Sequence, residues 1–317
     1  MPLNLESESV CGRKKTMVGI ITYNPDMSTL IELITSLACQ NCDVLVFDNA
    51  SSCQKEIVKA LEFSGKVTVL ESETNIGLAA AANEIFRIAR QGPYEFVVLF
   101  DQDSVPSRDY VDILTALYFE NQQAGGNKIA AISGAQRCRF SGKEAPFIRY
   151  STVLPEKVFP RTGGEYDNVD FLITSGCLFP LSAIDDVGVF DESLFIDNVD
   201  VEWCFRAREL GYNLLGCSNA WFSHSIGDEV YRAFGKIFAR KHSPIRSYYS
   251  IRNLLALCRR SYVNKVWKAN AVVRAILKSA FILLVSNERK EYARQIFRAL
   301  RDYRRIPSKP IYDKLVG

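Results

Sequence analysis

A chain of 317 residues, 48% hydrophobic and 24% charged, has the composition of a folded globular protein, not of a disordered, collagenous or low-complexity one. Its net charge of +3 hides a division: residues 1–231 hold 18 Lys and Arg against 32 Asp and Glu, whereas residues 232–317 hold 21 against 4. No apolar run approaches the roughly 18 residues of a membrane-spanning helix, and the polar, acidic opening MPLNLESESV does not have the form of a secretory signal.

Residues 1–15 are expected to be loosely attached, and elements begin after them. Met17–Thr22 (MVGIIT) reads as a buried strand, and Asp26–Ala38 as a helix with Met27, Leu30, Ile31, Ile34 and Leu37 at helical spacing. Val44–Phe47 is a second strand, Gln54–Phe63 a helix, Val67–Leu70 a third strand, Gly77–Arg90 an Ala-rich helix, and Phe96–Phe100 a fourth strand. Alternating helices and strands, the strands apolar on both faces, predict a parallel sheet covered by helices. Residues 121–170 give weak periodicity. Phe171–Leu181 reads as a strand running into a turn at Pro180, Val201–Leu210 as a helix, and Asn213–Cys217 and Ala220–Phe222 as short strands. From Pro244 the pattern is helical and basic, with one helical stretch from Lys265 to about Tyr303.

In such sheets ligands bind beyond the carboxyl ends of the strands. Three strands end there in polar residues: Thr22-Tyr23-Asn24, Asp48-Asn49 and Asp101-Gln102-Asp103. Two carboxylates two residues apart suit a hard divalent cation shared with phosphate oxygens; taken alone, such a pair is more often a solvated strand end. Asn75 and Gly77 open a helix, where backbone N–H groups meet a phosphate or simply form a first turn. Asp197, Asp200 and Glu202 precede and enter another helix, as a general base or as acids favoured by the helix dipole. His224 follows a short strand and is one of two histidines. The nine cysteines are scattered, and Cys39-x-x-Cys42 has no second ligand pair nearby, so free thiols are expected. No G-x-G-x-x-G follows the first strand, where Thr22-Tyr23-Asn24-Pro25 stands, so a nicotinamide-type dinucleotide site is not indicated.

The order VGIITYNP, DNAS, NIGLAAAAN, FDQDS, FIDNVDVEWCFRAR and His224, followed by SPIRSYYSIRN, resembles the inverting family-2 glycosyltransferases of GT-A fold over about residues 16–260. Within them it is most similar to bacterial rhamnosyltransferases of O-antigen and cell-wall polysaccharide synthesis. The resemblance implies a GT-A catalytic domain at 16–243 and a basic helical extension at 244–317. It implies Thr22, Tyr23 and Asn24 lining the nucleotide pocket, Asp48 on the base, and Asn75 and Gly77 near the diphosphate-sugar. Asp101 and Gln102 would lie on the donor, Asp103 and His224 on Mg²⁺ or Mn²⁺, Ser175, Gly176 and Trp203 at the acceptor, and Arg246, Tyr249 and Arg252 on the diphosphate. The family often has Glu-Asp where this chain has Asp197-Asn198, and an amide accepts no proton, so the base falls to Asp197 in preference to Asp200. Asn198 also keeps open a non-catalytic nucleotide-sugar or membrane-binding module with the same fold.

The implied partners are a nucleotide sugar, dTDP-L-rhamnose for this subgroup, and a lipid-linked saccharide acceptor. The basic amphipathic C-terminal segment adds an anionic membrane surface, placing the protein in the cytoplasm on the inner face of the plasma membrane. A helical cap on the catalytic part, or a homo-oligomer surface, is the other use of those helices. Nucleic acid fits the charge of the C-terminal region, but no recognition motif accompanies it and the acidic remainder opposes it.

Overall fold

The computed structural model describes residues 15–61, 67–139, 141–150, 154–159, 166–224, 230–233, 236–240 and 243–310. The N-terminal stretch expected to be loosely attached lies, except for Lys15, outside the described residues.

Everything is arranged around β1 (Lys15–Thr22). Strand alternation sends Met17 and Ile21 to one face and Val18 and Ile20 to the other, and helices bury both sets. β2 (Cys42–Asp48), β3 (Val67–Glu71) and β4 (Tyr94–Asp101) run parallel to β1 in the order β3-β2-β1-β4. The helices between them take opposite sides. α1 (Met27–Leu37) and α2 (Gln54–Leu61) cover one face, and α3 (Gly77–Gln91) covers the other. α3 lies so close to β1 that a Cβ on Gly19 would stand 2.5 Å from the Ile85 side chain, so only glycine fits there.

Beyond β4 the sheet becomes mixed. β5 (Ser104–Pro106), β6 (Ile129–Cys138), β9 (Tyr166–Asn168), β10 (Cys177–Pro180) and β11 (Asn213–His224) complete nine strands. β10 is antiparallel to both β4 and β6, while β11 is parallel to β6. Short hairpins β7–β8 (Phe147–Arg149, Glu156–Val158) and β12–β13 (Val230–Ala233, Lys236–Arg240) stand apart. α4 (Tyr110–Gln123) joins the face of α1, and α5 (Leu181–Val187) and α6 (Val199–Glu209) join that of α3.

Several expectations change. The strand read over Phe171–Leu181 is confined to β10, because Gly176 turns the chain at φ +75° and the backbone after Pro180 enters α5. The two short strands after residue 212 are one strand, β11, interrupted by a register shift between Cys217 and Trp221. The long C-terminal helix is two, α8 (Lys265–Val285) and α9 (Arg289–Asp302), broken where the Ser286 hydroxyl accepts from the Glu288 N–H.

α7 (Pro244–Cys258) starts at a Ser243 cap whose hydroxyl accepts from the Arg246 N–H. It is not a detachable tail. Leu254, Ala256 and Leu257 join the α3-side core, as do Trp267 and Ile306 beyond the helix. Arg260, fully buried, pairs with Asp191 and with Glu202, and Glu202 also holds Arg206 at 2.9 Å. Removing one member of such a buried network typically costs about 3–5 kcal/mol. No helix among the described residues is long and apolar enough to cross a membrane.

Candidate active site

The switch in strand order falls between β1 and β4, and the polar residues read from the sequence meet at that edge. Register sets Thr22 beside Asp48 and Ile21 beside Asp101. The Thr22 hydroxyl donates to Asp48 Oδ1 at 2.8 Å, and Asp48 Oδ2 accepts the Ser51 N–H at 2.9 Å. Asp48 is 1% exposed, and both its carboxylate oxygens are engaged by Thr22 and Ser51. Asn24, in the left-handed region at φ +49°, accepts from both the N–H and the hydroxyl of Ser52, while its own N–H donates to Ser51. Gln102 accepts from the Tyr23 N–H at 2.7 Å and ties the ends of β1 and β4 together, leaving the Tyr23 ring half exposed.

Asn75 begins the second wall. Its Oδ1 accepts the Gly77 N–H at 3.0 Å, and Asn49 bridges to it and to the Ile76 N–H. Gly77 has φ +87°, and a Cβ there would strike the Phe195 ring at 2.5 Å. Gly77 is therefore required both by its backbone and by the close approach of the loop that carries Asp197.

Asp101, Asp103 and His224 form the centre, each offering a ligand atom within 4.8 Å of the others. His224 Nδ1 lies 3.4 Å from Asp103 Oδ1 and 2.9 Å from the Ser104 hydroxyl. Ser104 in turn stands 2.8 Å from the Ser175 hydroxyl, which also accepts the Asp101 N–H. Burial raises the proton affinity of Asp101; His224 and Arg246 pull it down and Asp103 pushes it up. Two carboxylates forced together beside an imidazole form a mostly oxygen donor set of the kind Mg²⁺ and Mn²⁺ take, and a cation would relieve their mutual repulsion. Ser104 was legible only as the last letter of FDQDS; its buried hydroxyl links the expected metal side to the expected acceptor side.

Asp197 and Asp200 lie opposite. Phe195, Asp197 and Asn198 all have φ near +60°, a conformation that costs non-glycine residues about 1–3 kcal/mol each and persists only under firm packing. Arg246 reaches Asp197 Oδ1 at 3.3 Å through Nε and Nη2, with much of its side chain still open to solvent. Asp200 is pushed up to about 6, chiefly by burial, with the charges of Asp197 and Asp101 adding to it and the Val201 N–H opposing. Tyr249 stacks on Phe195 at 4.9 Å, and Arg252 lies over the Tyr249 ring. Arg252 donates to the carbonyls of Ser193 and Leu194 and to Asn253 Oδ1, so it braces the loop instead of reaching toward a diphosphate. Gly176 turns beside Phe222 and Tyr110. Trp203 is fully buried, its Nε1 donating to the Gly188 carbonyl, so it belongs to the core and is not open to an acceptor.

The half-parallel, half-mixed sheet with a carboxylate pair and a histidine at its carboxyl edge has the architecture expected of a GT-A fold. The chain belongs to glycosyl transferase family 2, whose pattern matches residues 17–187. It is 31% identical over 277 residues to the dTDP-rhamnosyl transferase RfbF of Shigella flexneri, covering 87% of this chain and 90% of that protein. Among solved structures it is similar to S. aureus TarS 1-349 (TM-score 0.56, 18% identity, 91% of this chain and 80% of that one). It is also similar to GalNAc-T7 with UDP, GalNAc and Mn²⁺ (TM-score 0.59, 14% identity), of which it covers 56% while 91% of this chain is matched. At those identities the structural likenesses carry the fold alone.

Proposed function

We propose that the protein transfers L-rhamnose from dTDP-L-rhamnose onto a lipid-linked saccharide acceptor, with inversion, in the synthesis of a bacterial surface polysaccharide such as O-antigen or a cell-wall glycan. The observation that carries the reading is the 31% identity to a dTDP-rhamnosyl transferase over nearly the whole of both chains. The convergence of Asp101, Asp103, His224, Asp197 and Arg246 on one strand edge supplies the chemistry.

In this reading Tyr23, Asn24 and the Asn75–Gly77 turn receive the nucleotide, and Asp103 and His224, with Asp101 beside them, would hold Mg²⁺ or Mn²⁺. The cation, when bound, neutralises charge on the diphosphate leaving group. Asp197 takes the proton from an acceptor hydroxyl, whose oxygen attacks the anomeric carbon on the face away from the nucleotide. Arg246 pairs with Asp197 and, with much of its side chain open to solvent, is the arginine that would meet the diphosphate. A second reading makes Asp200 the base, favoured by its value near 6, which suits proton abstraction close to neutral pH. Peripheral attachment to the inner membrane face fits the basic helices α8 and α9, whose outer side leaves Leu284 and Phe297 more than 70% exposed.

The test is a donor panel with Mg²⁺ or Mn²⁺ and an undecorated lipid-linked acceptor. Release of dTDP from dTDP-L-rhamnose, with NMR assignment of an inverted product, is the expected result. Turnover with UDP-sugars alone overturns the donor, and no turnover with any donor leaves the non-catalytic module.

A further inference from the structure

We propose that Asn253, in α7, is a positioning residue for glycosyl transfer, fixing the loop that presents Asp197; the inference rests on the proposed transferase reading. The loop 194–198 is held from two sides. On one side the Ala79 N–H of α3 donates to the Phe195 carbonyl. On the other, α7 offers residues 246, 249, 250 and 253, spaced three and four apart and so on one helical face. Arg246 meets the Asp197 carboxylate, Tyr249 stacks on Phe195, and the Ser250 carbonyl accepts from Asn198 Nδ2.

Asn253 is the pivot of that face. It is fully buried, and its Nδ2 lies 2.7–2.8 Å from the carbonyl oxygens of Leu194, Ile196 and Asp197, its two N–H groups serving all three with one hydrogen shared. Its Oδ1 accepts from Arg252 Nε and Nη2. The amide orientation is therefore fixed by chemistry: the carbonyl side requires a donor and the guanidinium side an acceptor. The Leu194 carbonyl also accepts from the Ile196 N–H within the turn and from Arg252 Nη2, so Asn253 matters most for the Ile196 and Asp197 carbonyls, in the stretch where Phe195, Asp197 and Asn198 have positive φ. Its loss releases the turn and moves the Asp197 carboxylate, while the nucleotide side of the site, built on β1, β2 and α3, stays as it is. Nothing in the side chain touches a reacting atom. Its effect is on where the base stands.

The experiment compares wild type, Asn253→Asp and Asn253→Ala for kcat, donor Kd by calorimetry, and hydrogen exchange over residues 194–200. The Asp variant keeps the shape but faces three carbonyls with a carboxylate. We expect kcat to fall about 10²-fold, the scale of a small misplacement of a reacting group, with donor Kd changed less than threefold and protection lost at 195–198. We further expect the activity of Asn253→Asp, relative to wild type at the same pH, to recover as pH falls and its carboxyl regains a donating proton. A variant with lowered Tm but unchanged kcat at 20 °C makes Asn253 merely structural and overturns the proposal. Should neither variant fold, wild-type exchange decides: core-level protection of 195–198 supports the clamp, and fast exchange refutes it. Absence of transfer by the wild type with every donor counts against the transferase reading and leaves the exchange result standing.

Discussion

Around the sheet, each helix hides its apolar side: α1 buries Leu30, Leu33, Ile34 and Leu37, and α3 buries Ala79, Ala82, Ile85, Phe86 and Ala89. The C-terminal helices behave differently. α7 is clasped to the catalytic loop, but α8 buries Trp267 and Ile282 and leaves Ile276, Leu277 and Leu284 in solvent, and α9 leaves Phe297 and Leu300 there. Charge follows the same division. The sheet region is acidic and brings Asp101 and Asp103 together at one edge beside His224, while the helical region is basic and reaches the Asp197 loop with Arg246. One region hides its apolar side chains and the other leaves several in solvent.

The comparison breaks most sharply at the acidic centre. Asp103→Ala is expected to abolish transfer while leaving the fold intact, and excess EDTA should do the same to the wild type. Full activity in EDTA, measured as dTDP release, removes the cation from the scheme. Next in size is the base. Asp197→Asn should lower kcat by about 10² or more with donor affinity little changed, as for loss of a general base. Asp200→Asn should do so in its place if the buried carboxylate is the true base, so the pair of variants assigns the role.

The parallel half of the sheet was legible because β1, β2 and β4 are runs of branched and aromatic residues with polar ends, and those ends are where the site lies. α4 and β6 were not. α4 carries Val111, Ile113, Leu114, Leu117 and Phe119 around more than one side and shows no single stripe, and β6 begins IAAISGA, with small residues of weak strand preference. Asp101, Asp103 and His224 were readable as candidates, but their convergence depends on β11 pairing with β5, which sets His224 beside Ser104 across 120 residues of sequence. The fate of Arg252 and Trp203 could not be read from residue type, since a guanidinium bracing carbonyls and one gripping phosphate look alike in sequence.

The open face of α8 and α9 gives a smaller, salt-dependent effect. Arg294, Arg298, Arg301 and Arg305 crowd around Glu291 and Asp302, leaving the face net positive beside its exposed apolar side chains. Anionic lipid adds about 1 kcal/mol per nearby basic residue, over a screening length of about 8 Å at physiological salt. The protein should pellet with anionic liposomes and much less with neutral ones. Truncation is a poor test, because Trp267 and Ile306 belong to the core. Leu284→Ser with Phe297→Ser leaves the core untouched and should remove the salt-resistant part of the binding. Unchanged sedimentation of that double variant assigns the face to a second copy of the chain or to no partner.

The smallest expected effect lies inside the closed region and concerns its excess of carboxylates. Asp200 has its folded value raised from 3.8 to about 6, first by burial and then by the charges of Asp197 and Asp101. A carboxyl that binds its proton more tightly when folded contributes stability that is complete below about pH 4 and is lost as pH rises through about 6. In EDTA, Asp200→Asn should therefore be more stable than the wild type at pH 8, by about 3 kcal/mol for a rise from 3.8 to about 6. The advantage should shrink through pH 6 and vanish near pH 4, because the amide oxygen still accepts from the Val201 N–H and only the titrating charge has gone. Thermal melts at pH 4, 6 and 8 measure it. Equal stability at all three values means that the charge of Asp200 is already relieved in the folded protein, and with that the argument for Asp200 as the base falls, leaving Asp197.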